Sequence, residues 1–276
     1  MILDDLIAML RTQAEKTNAR LTTGTDERGA IALQLANGTV TFLPAPPLRA
    51  EAKLLDAVTS AVYGLASLAN QFQLIDRDTL LSQFGKEAKL RPWREGAIKL
   101  VAEAGTTVTD FATATDKAEA KRYAPPATPD QFRSVLRAFE IRQHVATLDL
   151  AGQLKLVEAA IDDEARELLA AVLDAPVGVM AEVREHATRQ WQAAVNRADP
   201  AGLIAIQDAR AGIEWAEVAL AHVAGRTQQI ARFPREQLAQ LTYSSRGYRV
   251  FGISDAEAAL AARADEFAKR RAAQAA

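Results

Sequence analysis

The sequence predicts a mainly α fold: a helical bundle with a long antiparallel helical hairpin, plus a small N-terminal β-hairpin. Three observations predict it. Much of the 49 % hydrophobic share is alanine, apolar residues recur at helical spacing over most of the 276 residues, and glycine and proline number only 14 and 10. Alanine favours helix strongly yet buries little area, so the helices are expected to pack closely along thin seams. So few turn formers argue against an all-β fold or a disordered chain.

The opening segment places Leu3, Leu6, Ile7, Leu10 and Ala14 at the spacing of one helix face. A β signal follows, in which Ile31 to Leu43 alternates on both sides of Asn37-Gly38. A two-residue turn there sets Ala36 opposite Thr39, Leu35 opposite Val40 and Leu33 opposite Phe42. Leu33, Leu35, Val40 and Phe42 then share one face and form a candidate interface. Pro44, Pro46 and Pro47 end the second strand, since proline cannot donate to the ladder.

From Leu48 to about Gln73 the period is helical again. Leu55, Val62 and Ala69 recur every seven residues, as do Val58, Leu65 and Phe72, which makes a narrow seam for another helix. Asp76 to Phe84 reads as a short helix stopped by Gly85. A threonine-rich stretch from Gly105 to Thr115, then Pro125-Pro126, reads as a linker or irregular segment over 105–127. That divides the chain into 1–104, the linker 105–127, and a helical domain 128–276.

Helix punctuation sharpens beyond the linker. Thr128-Pro129-Asp130-Gln131 offers an N-cap, a first-turn proline and a capping-box glutamine, with Phe132, Val135, Leu136 and Phe139 as the stripe behind them. The next helix turns Leu154, Val157, Ile161, Leu168 and Val172 inward and ends by Pro176, and Met180, Val183, Ala187, Trp191 and Val195 line the one after it. Asp199-Pro200 caps and opens a long helix in which Ile206, Ile213 and Leu220 repeat by seven beside Ala209, Ala216 and Val223. The tight break at Asp199 makes 177–198 its expected antiparallel partner. Tyr248 to Ile253 reads as a short strand. Ser254-Asp-Ala-Glu257 is a second capping box, opening a last helix that carries Lys269-Arg270-Arg271.

The search for chemistry returns mostly exclusions. Net charge is −2, so no global field draws the molecule to nucleic acid or membrane. The absence of cysteine removes disulfides, thiolate zinc sites and cysteine nucleophiles together, and fits a reducing, cytoplasmic setting. Asp4 and Asp5 stand where a signal peptide carries positive charge, and no stretch reaches the roughly eighteen apolar residues of a membrane span, so no membrane role is expected. No Walker-type loop, Gly-x-Gly-x-x-Gly, Gly-x-Ser-x-Gly or His-Glu-x-x-His occurs. A di-iron site built in a bundle needs Glu three before His, and Ile141, Val183 and Ala219 hold those places before His144, His186 and His222. Glu140 and Glu182 sit four before His144 and His186, the spacing of a surface carboxylate–imidazole pair. Ser244-Ser245 has no histidine near it in sequence and reads as a turn. The expectation is therefore no enzyme, no cofactor and no metal.

One basic segment stands out. Lys86, Lys89, Arg91 and Arg94 surround Trp93 within 86–99, a set of cations with an aromatic able to stack on a base. With the C-terminal cations it supports an alternative reading as a nucleic-acid-binding module.

Glu140-Ile-Arg-Gln-His144, then Leu154 to Ile161, then Leu168-Leu-Ala-Ala-Val-Leu-Asp-Ala-Pro176, resembles a pattern in uncharacterised helical proteins of tailed bacteriophages. The resemblance implies a structural or morphogenetic protein acting in the host cytoplasm or the virion, and brings no catalytic residues with it. Heptad seams, the apolar hairpin face and missing site chemistry point the same way, to protein partners or self-association, with Ile206, Ile213 and Leu220 beside the hairpin residues as candidate contacts.

Overall fold

In the computed structural model the chain is described at 2–17, 19–22, 31–125, 131–162, 165–175 and 179–275, with side chains at these positions except 2, 3, 20–22, 131–134, 162, 166 and 267–275. The cap expected at Thr128–Asp130, the stop at Pro176 and the side chains of Phe132 and Lys269–Arg271 lie outside the described residues. Among those residues the fold is mainly helical, as the composition demands: ten α-helices and one small antiparallel sheet. They divide into a larger unit, 1–114 with 207–276, and a smaller one, 115–206. The division therefore runs neither at 104 nor at 127, and the larger unit is discontinuous in sequence.

The larger unit begins with α1 (Ile2–Thr17), whose Leu6, Leu10 and Ala14 are buried at the expected spacing. Strands β1 (Arg20–Thr22), β2 (Ile31–Gln34) and β3 (Val40–Leu43) follow, in the order β1-β2-β3. The β2–β3 hairpin exists, but its register differs from the expected one by one residue: Gln34 pairs with Val40, Leu33 with Thr41 and Ile31 with Leu43. The turn explains the slip. Gly38 N–H donates to the Leu35 carbonyl, Gly38 takes φ +83°, and Thr39 N–H donates to Asn37 Oδ1 at 3.1 Å. A two-residue turn requires positive φ at both Asn37 and Gly38; here only the glycine takes it, giving a three-residue loop with a bulge. One residue of slip reverses every side chain of the second strand. Thr41 and Leu43 face the core with Ile31, Leu33 and Leu35, while Phe42 points outward, 53 % exposed.

α2 (Ala52–Asp76) and α3 (Gln83–Arg122) form the long antiparallel hairpin of the fold. Lys53 and Asp56, far from the turn on α2, line one cleft with Glu103 and Thr107, far along α3. A side chain at Gly64 would come within 3.2 Å of Leu100, so the absence of a Cβ there is what lets the two helices approach. Both predicted seams of α2 are internal: Leu55, Val58, Val62, Leu65 and Ala69 are buried. Each fully buried leucine of this kind contributes about 1.5–3 kcal/mol of transfer free energy.

The short helix expected at 76–84 and the linker expected at 105–127 are both corrected by α3. Residues 77–82 form the turn, and α3 runs through Gly85, Pro92 and Gly105 to Arg122. The threonines that read as irregular donate inward instead. Thr107, Thr109 and Thr113 each give their hydroxyl to the carbonyl four residues back, at 2.9–3.0 Å. That satisfies each side chain without leaving the helix.

α8 (Pro200–Ala231) closes the larger core, with Ile213, Ala216, Leu220 and Val223 buried. Trp215 Nε1 donates to the Pro44 carbonyl at 2.8 Å, tying the end of β3 to α8. α9 (Arg235–Thr242) and α10 (Asp255–Ala275) pack together at the end of the chain, joined by a 3-10 helix, Gly247–Phe251, where the sequence suggested a strand. Left-handed residues on both sides, Arg246 at φ 56° and Gly252 at φ 69°, coil the segment and deny it the extension a strand requires.

The capping box at Ser254 forms as expected: Glu257 N–H donates to Ser254 Oγ at 3.3 Å, and Ser254 N–H donates to Glu257 Oε2 at 2.8 Å. Arg235 of α9 also grips Glu257, at 3.1 Å and 3.2 Å. Arg235, then the Ser254 amide and hydroxyl, hold the Glu257 carboxyl at about 2, well below its ordinary value near 4.5. A carboxyl depressed in the folded state stabilises the fold above its ordinary pKa and loses that contribution as pH falls towards the folded value. Acid titration between about 4.5 and about 2 is therefore expected to loosen the α9–α10 joint. Glu257→Gln removes that part of the acid dependence, measured by circular dichroism melting at successive pH values; an unchanged acid profile refutes the assignment.

The smaller unit holds α4 (Gln131–Ala146), α5 (Leu150–Asp162), α6 (Arg166–Leu173) and α7 (Ala181–Ala198). Its core is small: Val145, Val157, Val172, Val183 and Ala187. α7 packs on α5 and α6. Asp199 does cap α8, its Oδ1 accepting from Gly202 N–H at 2.9 Å. The same carboxylate pairs with Arg122, whose Nη2 also donates to the Asp199 carbonyl at 2.6 Å and to Asn196 Oδ1 at 3.3 Å. Together the Gly202 amide and Arg122 hold the Asp199 carboxyl below its usual range.

Candidate interaction surfaces

The residues expected to form interfaces fall into two groups. Leu33, Leu35, Ile213 and Leu220 are consumed by the core of the larger unit, between 1 and 6 % exposed, and offer nothing to a partner. Their heptad and alternating patterns are the signature of internal packing. Val40 and Ile206 are half-buried, and Phe42 reaches solvent only because the register slipped.

The segment 86–99 does not form a cationic stripe. At about 100° per residue, Arg91 stands roughly 140° round α3 from Lys86. Arg94 is nearly buried and pairs with Glu87, Arg91 pairs with Glu95 at 3.0 Å, and Lys86 donates to the Asp76 carbonyl at 2.5 Å. Lys89 is exposed, and Trp93 is 43 % exposed. Counterion release, the main source of non-specific nucleic-acid affinity, requires cations that are not already neutralised.

The histidines do not converge into a metal centre. Among the described residues no group of three histidine, aspartate or glutamate side chains has metal-binding geometry. His186 Nε2 lies 3.4 Å from Glu158 Oε1 on α5, a pairing between helices rather than the within-helix pairing with Glu182. His144 and His222 are exposed.

What the structure does present is concentrated apolar exposure, at places sequence periodicity did not single out. Leu80 and Phe84, at the turn between α2 and α3, are 94 % and 86 % exposed, with Leu74 half-exposed just before them. Asp78 Oδ1 accepts from Leu80 N–H at 3.0 Å and Lys86 caps the end of α2, so the turn is fixed by hydrogen bonds while its large side chains face water. Scattered exposed leucines are ordinary; here two nearly bare large side chains flank one hydrogen-bonded turn. The second place is α4, where Val135, Leu136 and Phe139, read as an inward stripe, are all more than half exposed. α4 instead meets α6 through its other face, with Arg137 paired to Glu167 at 2.8 Å.

A third feature is concave. α9 and α10 border a shallow cleft of about 360 Å³ with a floor of Ala239, Ile253 and Ala261 and a lip of Leu260 and Ala264. The Arg235–Glu257 pair forms one wall and Glu236 the mouth. No family model, curated protein or solved structure matches the chain.

Proposed function

We propose that this chain is a non-enzymatic structural or assembly protein that works through helical protein–protein surfaces, a virion or morphogenesis component of the kind the 140–176 segment resembles. The observation that carries the reading is the pair Leu80 and Phe84 on a hydrogen-bonded turn: exposing them in the isolated chain forgoes apolar burial that a partner restores. Heptad seams do not carry it, because they are spent inside the fold. Among the described residues no helix is long and apolar enough to cross a membrane.

The test is co-expression with the proteins encoded beside it, followed by affinity capture and light scattering. A defined complex that survives purification and is lost in the Leu80→Ser, Phe84→Ser double variant supports the reading. A chain that stays alone and monomeric with every such neighbour overturns it.

A further inference from the structure

We propose that Asn37 is a site of self-modification: the Gly38 amide nitrogen attacks the Asn37 carboxamide, ammonia leaves, and the chain ages to an isoaspartate that lengthens the β2–β3 turn. The chemistry needs a carboxamide just before a main-chain N–H that no Cβ shields, and Asn37-Gly38 supplies both. The amide nitrogen loses its proton to a solvent base, the N–Cγ bond forms, and the Cγ–Nδ2 bond breaks as the departing nitrogen takes up a proton to leave as ammonia. Water then opens the imide ring. Opening at the Asn37 main-chain carbonyl routes the backbone through Cβ and Cγ, which is isoaspartate; opening at Cγ gives aspartate. Water is the only co-reactant, and no electrons change hands.

The geometry of the turn bears on the rate. Gly38 is exposed, with nothing within 4 Å of the place a Cβ would occupy, so the ring has room to close and water has access to open it. Thr39 N–H donates at 3.1 Å to Asn37 Oδ1, the oxygen on which negative charge gathers as the nitrogen attacks. Against these, Gly38 N–H donates to the Leu35 carbonyl at 2.9 Å and must release it first. A hydrogen bond between neutral groups is a modest obstacle, worth a factor of about ten or less, so it delays the reaction without preventing it. The other asparagines lack this combination. Ala19, Gln71 and Arg197 follow Asn18, Asn70 and Asn196, and Asn70 and Asn196 are held within α2 and α7. Loop length sets hairpin register, so an added main-chain carbon in this loop undoes the pairing that seats Leu43 opposite Ile31.

Ageing the folded full chain in mildly alkaline buffer tests this, read by peptide mass mapping and by labelling with an isoaspartyl methyltransferase. Loss of the amide is expected at Asn37 well before Asn18, Asn70 or Asn196, with isoaspartate exceeding aspartate, and the aged protein is expected to melt below the fresh one. Asn37→Ser removes the carboxamide while its hydroxyl can still accept the Thr39 N–H. That variant is expected to gain no isoaspartate in the turn and to melt alike when fresh and when aged. Chain unfolded in urea, where the Gly38 N–H is free, is the positive control for the chemistry. A folded chain in which Asn37 stays intact, or converts no faster than the other three asparagines, overturns the proposal. Isoaspartate at position 37 with unchanged melting overturns it too, because the turn would then accept the longer backbone.

Discussion

Gly247→Ala is expected to destabilise the larger unit by about 3 kcal/mol or more, read as a lower urea midpoint at unchanged slope. A Cβ at this position would stand 2.3 Å from the Ala102 carbonyl oxygen and 2.5 Å from the Ala102 Cβ. Neither atom belongs to a flexible side chain that could swing aside, so the 3-10 helix or α3 must move. The contact is the docking point of a whole segment. Val250 covers Gly105 beside it, and the Thr106 hydroxyl donates to the Ser245 carbonyl. Lifting the segment also uncovers Tyr248, Phe251 and Ile253, all under 9 % exposed. Gly225→Ala is the internal control. It sits in α8 with nothing within 4 Å of an added Cβ, and so is expected to stabilise by about 0.5–1 kcal/mol through helix propensity and a stiffer unfolded chain. Adding Ala102→Gly to Gly247→Ala removes the Cβ contact but not the carbonyl contact, so rescue is expected to be partial. A Gly247→Ala protein as stable as the wild type would show that the 3-10 helix is not held against α3.

That close approach was invisible in the sequence, and the reason is general to this fold. Local rules read what local chemistry decides. The α1 stripe, the heptads of α2 and α8, the caps at Asp199 and Ser254 and the existence of the hairpin all depend on residues within a turn or two of each other, and all were legible. α3 was not. Its 40 residues include Gly85, Pro92, Gly96, Gly105 and a run of threonines, each a local argument against helix. What overrides them is partly tertiary: Gly105 is covered by Val250 and the Thr106 hydroxyl donates to the Ser245 carbonyl, while Thr107, Thr109 and Thr113 return their hydroxyls to the backbone of their own helix. The candidate surface was missed for a related reason. Periodicity finds apolar residues that share a face, and in this chain such faces are mostly buried. Leu80 and Phe84 flank a turn, where no period exists, so only their exposure reveals them. Leu33, Leu35, Ile213 and Leu220 mark the opposite error, a correct pattern assigned to the wrong side of the protein surface.

Leu43→Asp is expected to cost more than about 4 kcal/mol, whereas Phe42→Asp one residue earlier is expected to change stability by no more than about 0.5 kcal/mol. The contrast comes entirely from the turn at Leu35–Gly38. A two-residue loop would point Phe42 inward and Leu43 to water, and the costs would reverse. With the three-residue loop, Leu43 is completely buried opposite Ile31 in an apolar cluster, where an aspartate would lose its hydration. Phe42 lies on β3, an edge strand of the sheet, where a charge is tolerated and also blocks edge-to-edge pairing with another chain. Gly38 is the hinge of this argument, since its φ of +83° disfavours any residue with a Cβ. The two aspartate variants, compared by urea denaturation, settle the register in one experiment. Loss of stability in Phe42→Asp with tolerance of Leu43→Asp would restore the two-residue turn, and with it the hairpin face Leu33, Leu35, Val40 and Phe42.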